Sequence, residues 1–185
     1  IAHPDKQSFC HNGIFKTIHN TLIANKENID VIDLYEENFN VFGDVEKTNL
    51  YKALITKSNR IYIISPVWWF RCTPLLESFF DQVLSPGFAY KFIPVTKSLG
   101  IPKPFLKDKK VRTYLTHGAP ALPVLTLYVN SVKLRLVMGV YSFVFGWFRT
   151  KTRQFWSVPF VSEDRRKSYL EKVVKDVESD IRRAR

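Results

Sequence analysis

The feature that constrains this chain most is a strand-type run, Ile61-Tyr62-Ile63-Ile64, that passes directly into Ser65-Pro66-Val67-Trp68-Trp69-Phe70-Arg71-Cys72-Thr73-Pro74 and then into a helical pattern. The apolar run predicts a buried strand. Thr73 suits a helix cap and Pro74 the first helical position. From there Leu75, Leu76, Phe79, Phe80 and Val83 recur along one helical face. A buried strand, a loop with three consecutive aromatics and an amphipathic helix in immediate succession point to an open α/β sheet. Such sheets place ligands in the loops at the carboxyl ends of their strands. Aromatic walls with backbone donors suit a flat, partly polar ring, although the same residues also suit a plain hydrophobic corner.

The remaining segments agree with that class. Ile1-Ala2-His3-Pro4 reads as the end of a strand entering a loop, so a first strand truncated at the N-terminus is expected. Phe9 to Ala24 reads as a helix with Ser8 as its N-cap. A second strand is expected at Ile29 to Tyr35, a loop at Phe39 to Asp44, a helix at Val45 to Thr56 and a strand at Arg60 to Ile64. This β, α, β, α order argues for a doubly wound parallel sheet. Lys91 to Lys110 is read as a long connection of functional or interface type, and Val111 to Leu115 as the fourth strand. Val124 to Phe145 reads as one helix ending at Gly146, and Arg149 to Val158 as the last strand. A final helix starts at Ser162, with Glu163 and Asp164 in its first turn and Arg182, Arg183 and Arg185 at its end, as the helix dipole favours. With no repeat, linker or low-complexity tract, residues 1–185 read as a single domain.

Composition limits the alternatives. A chain of 185 residues can bury one sizeable core. Cys10 and Cys72 make no disulfide framework, which favours the cytoplasm. The apolar run from Leu136 to Phe148 is too short to span a bilayer, and no signal-peptide pattern opens the sequence. The net charge of +11 implies either a solvated basic surface or an anionic ligand or partner. Lys103 to Lys110 and Arg165 to Arg185 carry much of it.

The start of the first helix is a natural anion site, because its free N–H groups and dipole point at one place. Cys10 there could have a lowered pKa. A phosphatase-type Cys loop would need an arginine five residues on, and Lys16 is the nearest cation. His3, His11 and His19 form no strong metal-ligand set with Cys10, so no metal site is assigned.

The segment from Pro66 to Val83 resembles the flavin-contacting segment of the flavodoxin-like NAD(P)H:quinone oxidoreductases, the group that includes NAD(P)H dehydrogenase (quinone) and modulator-of-drug-activity-like flavoproteins. The family pattern runs Pro-x-x-Trp-Phe/Tyr, a short gap, a proline, and then aromatic-aromatic-Asp-x-Val. Gly87-Phe88-Ala89-Tyr90 matches the Gly-Phe-Ala-Tyr that follows. His3-Pro4 and Ser8-Phe9 resemble the family's His-x-x-x-x-Ser-Phe-Asn, Thr116-His117-Gly118-Ala119-Pro120 its Thr-Thr-Gly-Gly-type loop, and Phe155 to Val158 its last aromatic segment. The chain departs from the pattern at Cys10, Thr73, Glu77 and His117.

The resemblance implies a three-layer, five-stranded parallel sheet of order 2-1-3-4-5. It implies flavin contacts at His3, Ser8, Phe9 and Cys10 for the phosphate, and at Pro66, Val67, Trp68, Trp69, Phe70, Thr116, His117, Gly118 and Ala119 for the ring and ribityl chain. The amides from Trp68 to Phe70 would face the N5/O4 edge of the ring, and donors from Thr116 to Ala119 its N1/O2 edge. The implied cofactor is FMN, with FAD as the alternative, and NAD(P)H is the co-substrate. Hydride would pass to a quinone or similar acceptor by a ping-pong scheme. His117 is either a bystander or a proton donor, and no other side chain is assigned as catalytic.

The resemblance further implies a homodimer with the active site at the interface, to which residues 124–148 would contribute. Neither nucleic acid nor a membrane span is expected. Two other readings stand beside this one: a non-catalytic electron carrier or regulatory flavoprotein subunit, and a basic module that binds polyanions through the C-terminal helix.

Overall fold

The computed structural model describes residues 1–183, so Arg185 of the expected helix end lies outside the described residues. Three parallel strands form the sheet, in the order β1 (Arg60–Pro66), β4 (Lys110–Thr116) and β5 (Thr150–Phe155). Ile63 lies opposite Thr113, and Thr113 opposite Thr152. Because side chains alternate along a strand, β1 sends Ile61 and Ile63 to one face and Tyr62 and Ile64 to the other. The first face packs on α2 (Val45–Lys57), α3 (Pro74–Val83) and residues 131–145. The second packs on the π-helical turn Phe9–Phe15, on α1 (Lys16–Ala24) and on α7 (Glu163–Arg182). The result is the three-layer α/β architecture expected from the order of elements.

Several expectations are corrected. The five-stranded sheet of order 2-1-3-4-5 appears as three strands, and Ile29 to Tyr35 forms no strand. Leu34 N donates to Ile1 O at 3.1 Å, Ile1 N to Ile32 O at 2.7 Å, and Ala2 N to Ile64 O at 3.0 Å. These bonds set residues 32–34 and 1–2 side by side next to β1, but a two-residue contact does not make a ladder. Beside them a cleft of about 990 Å³ opens along β1, between Ile61 and Ile29.

The connection read as a loop from Lys91 holds an antiparallel hairpin, β2 (Tyr90–Pro94) with β3 (Gly100–Pro104). The helix expected from Val124 to Phe145 is interrupted. α4 (Ala121–Thr126) ends in a turn where Val129 and Asn130 take φ of 50° and 49°. The chain then resumes as α5 (Ser131–Leu134), a π-helical segment Arg135–Tyr141 and α6 (Ser142–Val144). Gly146, at φ 77°, closes that run as expected. Among the described residues no helix is long and apolar enough to cross a membrane.

α7 is fastened to the sheet by charge as well as by Tyr169, Val173, Val177 and Ile181. Arg112, buried on β4, donates Nε to Asp180 Oδ2 at 2.5 Å and Nη2 to Oδ1 at 2.7 Å, with Nη1 3.2 Å from Asp176. Burial alone would raise the Asp180 carboxyl, but the Arg112 hydrogen bonds and the nearby cations outweigh it and hold the pKa below the usual range. A carboxylate with a depressed folded pKa stabilises the protein above its unfolded pKa, and that stability is lost as pH falls through the folded value. Arg112→Ala leaves Asp180 uncompensated and is expected to cost about 3–5 kcal/mol in chemical denaturation at pH 7. The difference from wild type should shrink as the pH is lowered below about 4.

Candidate active site

β1 and β4 end together at Pro66 and Thr116, and Val67 N donates to Thr116 O at 2.8 Å, so the loops that follow start from one rigid point. In the first loop Trp68 and Arg71 exchange backbone hydrogen bonds, at 2.9 and 3.1 Å, across Trp69 and Phe70. Those two residues take φ of 50° and 59°, left-handed values that β-carbon-bearing residues adopt at a cost. Strained backbone of this kind concentrates at ligand clamps and active sites. The turn stands Trp69 out of the protein at 90% exposure, while Phe70 stacks on Tyr128 with ring centroids 4.1 Å apart. Trp68 meets the ring of His3 edge-on at 6.1 Å.

The amides around this point divide into used and free. The expected donor at Trp68 is corrected, because its N–H is taken by Arg71. The N–H groups of Trp69 and Phe70 have no acceptor among the described residues. In the second loop His117 N donates to Phe155 O at 2.8 Å, and His117 O accepts from Val158 N at 2.9 Å. Gly118 N and Ala119 N have no acceptor among the described residues, and a β-carbon on Gly118 would meet nothing within 4 Å.

At the helix start Ser8 is the N-cap, its Oγ accepting from His11 N at 3.3 Å, while Phe9 N and Cys10 N remain unpartnered. His3 Nδ1 accepts from Asp5 N at 3.0 Å and Gln7 N donates to Asp5 Oδ1 at 2.7 Å, which folds residues 3–8 into a tight turn. Lys6 clamps this turn to Asp33 and Glu36. Thr73 is the N-cap of α3 by conformation only. Its hydroxyl turns to Ala2 O at 3.4 Å, and Glu77 accepts from Cys72 N instead while pairing with Arg135.

Burial decides how two side chains of these loops behave. Burial pushes the Cys10 thiol up to about 11, opposed by its contact with Thr116 Oγ1 at 3.2 Å, so the lowered pKa expected at a helix start is corrected. The Cys10 side chain lies in the core, and only its amide is available to a ligand. His117 is buried, stacked on Trp156 at 4.2 Å and bonded through Nε2 to Gln154 Oε1 at 3.1 Å. Burial lowers its pKa to about 4, so the ring is neutral through the physiological range. The sequence reading missed Tyr128, Gln154 and Trp156. Tyr128 and Gln154 carry no local signal, because only the fold brings them to the loops.

An open parallel sheet with helices on both faces and three sets of free amides at its carboxyl end is an α/β protein of the doubly wound class, in which that end is where ligands bind. The chain belongs to the flavodoxin-like fold family, whose sequence model matches residues 1–132. It is 26% identical over 184 residues to a Haemophilus influenzae protein named "Uncharacterized NAD(P)H oxidoreductase", covering 92% of this chain and 88% of that one. Among solved structures it is similar to an NAD(P)H:quinone oxidoreductase from Methanothermobacter marburgensis, with a TM-score of 0.72, 18% identity, and 95% and 92% of the two chains covered. It is also similar to an FMN-dependent NADH-azoreductase from Bacillus anthracis in complex with FMN, with a TM-score of 0.69, 15% identity, and 98% and 93% covered.

Both cysteines are expected to resist thiol reagents, since burial also pushes Cys72 up to about 12. Ellman's reagent at pH 8 should release no thiolate from the native protein and two equivalents after denaturation. His117, with its folded pKa below the unfolded value, contributes stability that is complete above pH about 6.5 and declines as pH falls toward 4. Its ring proton resonances should stay at their neutral positions from pH 8 to 5.5.

Proposed function

We propose that this protein is a flavin-dependent NAD(P)H oxidoreductase that takes FMN as its cofactor and a quinone or similar compound as acceptor. The observation that carries the reading is that unpartnered amides at Phe9-Cys10, Trp69-Phe70 and Gly118-Ala119 all lie at the carboxyl end of the sheet, where the Val67–Thr116 hydrogen bond joins the two loops and the Cys10–Thr116 contact at 3.2 Å joins the helix start to them. These groups fit a flavin mononucleotide: an anion at a helix start, a flat ring against Trp68 and Trp69, and an open position at Gly118 that any side chain would fill. The relatives named above, one an NAD(P)H oxidoreductase and another holding FMN, support the same reading. FAD is the alternative cofactor.

A bound flavin would supply the redox chemistry, with NAD(P)H as hydride source and the acceptor following it at the same place in a ping-pong scheme. The chain's own residues bind and orient. Ser8, with its hydroxyl proton free to donate, and the amides of Phe9 and Cys10 hold the phosphate, assisted by the helix dipole. Trp69 and Phe70 offer N–H groups to one edge of the ring, and Gly118 and Ala119 to the other, where they stabilise negative charge without reorganising. His3 braces Trp68, and Thr116 and Val67 fix the two loops to each other. His117 serves as a neutral support held by Gln154 and Trp156.

We extend this reading to a homodimer. Leu122, Leu127 and Val129 are exposed on the segment whose Tyr128 packs on Phe70, so a second copy placed there would also wall the cleft. The hydrogen bonds of residues 32–34 and 1–2 support the sheet order 2-1-3-4-5 as the underlying topology.

Purified protein mixed with FMN should show a bound-flavin spectrum that bleaches on anaerobic addition of NADPH and recovers with a quinone. A bound flavin that stays oxidised would favour an electron carrier, and no uptake would sink the proposal. Gly118→Leu should abolish flavin uptake while leaving the melting temperature within about 2 °C of wild type, because the new side chain enters open space.

A further inference from the structure

The opposite end of the sheet is built differently. Arg60 opens β1 and lies in register with Lys110, which opens β4, while Arg112 lies in register with Lys151 of β5. Parallel pairing therefore gathers the basic starts of three strands on one edge, and Arg149 precedes the third. The C-terminal turn of α7 brings Asp180 and Arg183 to the same place. Together with Phe148 these residues line a cavity of about 150 Å³. Six residue steps along β4 take the chain from Lys110 to Thr116, so the cavity lies about 20 Å from the proposed flavin site.

The charges within it do not balance. The buried Arg112 is neutralised by Asp180 and Asp176. Arg60 and Lys110 reach only carbonyls, Asp180 O at 2.5 Å and Arg183 O at 3.2 Å. Lys151 stands 3.9 Å from Asp180 Oδ1, which Arg112 already holds, and Arg149 has no side-chain partner among the described residues. Desolvation and then the Arg112 charge hold Lys151 below the usual lysine range, against the opposing pull of Asp180 and Asp176.

The geometry points to a second, anion-binding site here that takes the phosphoryl group of a phosphate compound. Arginine forks and lysine point charges are the groups that recognise phosphate oxygens. The volume is below the roughly 300 Å³ at which pockets for whole cofactors begin, so the enclosed part of the ligand is the phosphoryl head. Two sources share that chemistry. One is inorganic pyrophosphate or phosphate; the other is a nucleotide whose base lies on Phe148, which is fully exposed at the rim. The site also gives part of the +11 net charge a location and a use.

Isothermal titration with inorganic pyrophosphate in chloride buffer, with FMN present so that the phosphate site proposed at Ser8 to Cys10 is occupied, tests the site, using wild type, Arg149→Glu, Lys151→Ala and, as a control of equal charge change, Lys97→Glu in the exposed β2–β3 turn. Saturable one-to-one binding is expected, weakened at least tenfold by Arg149→Glu and several-fold by Lys151→Ala, with Lys97→Glu unchanged. The Arg149 side chain makes no hydrogen bond or ion pair among the described residues, so that variant should melt as wild type does. Absence of saturable binding overturns the site, as does binding that survives Arg149→Glu or falls equally with Lys97→Glu. A parallel titration with ADP identifies the source. Tighter binding than pyrophosphate that is lost in Phe148→Ala assigns a nucleotide, and binding no tighter than pyrophosphate assigns the free anion.

Discussion

The parallel pairing of β1 with β4 is the interaction on which the rest of the molecule depends. Seven residue pairs in register, from Arg60 opposite Lys110 to Pro66 opposite Thr116, fix both ends of the sheet at once. Parallel strands carry helices on both faces, and here each face buries its own cluster. Because the two strands stop at the same level, their following loops emerge side by side. Because they also start at the same level, their first residues form one basic edge. The proposed cleft and the proposed anion site are thus two consequences of a single register.

Rigid support under irregular loops is the recurring theme at the carboxyl end. The Trp69-Phe70 turn holds two residues in left-handed conformations, which persist only where the surroundings enforce them. The Trp68–Arg71 backbone pair, the Phe70–Tyr128 stack and the Val67–Thr116 hydrogen bond supply that enforcement. In the second loop the same work is done by backbone bonds from His117 to Phe155 and Val158, with Trp156 and Gln154 holding the imidazole. Amides not consumed in this bracing are the ones left for a ligand, a division that follows from geometry and not from residue type.

Polar groups that read as reactive in the sequence become structural when buried. Cys10 stands at a helix start, yet desolvation raises its pKa because its side chain enters the core beneath Thr116. His117 lies between two candidate flavin contacts, yet burial against an aromatic ring lowers its affinity for a proton. Glu77, one of the departures from the family pattern, finds its use in fixing Cys72 N and Arg135. In each case the sequence supplied the position and the environment supplied the chemistry.

The sequence by itself determined the strand at Arg60, the strand at Val111, the helix capped by Ser8, the helix starting at Pro74 and the final helix. Those features are encoded locally, in caps, in period and in β-branched runs. It also pointed to the loops at Pro66 to Phe70 and Thr116 to Ala119, through motifs short enough to read along the chain. The hairpin within Lys91 to Lys110 and the break at Val129-Asn130 were decided only by tertiary structure. A hairpin needs its partner strand, and a helix breaks where packing demands a corner. The same holds for the basic cavity, whose residues are scattered from Arg60 to Arg183 and meet only because parallel strands share one starting edge.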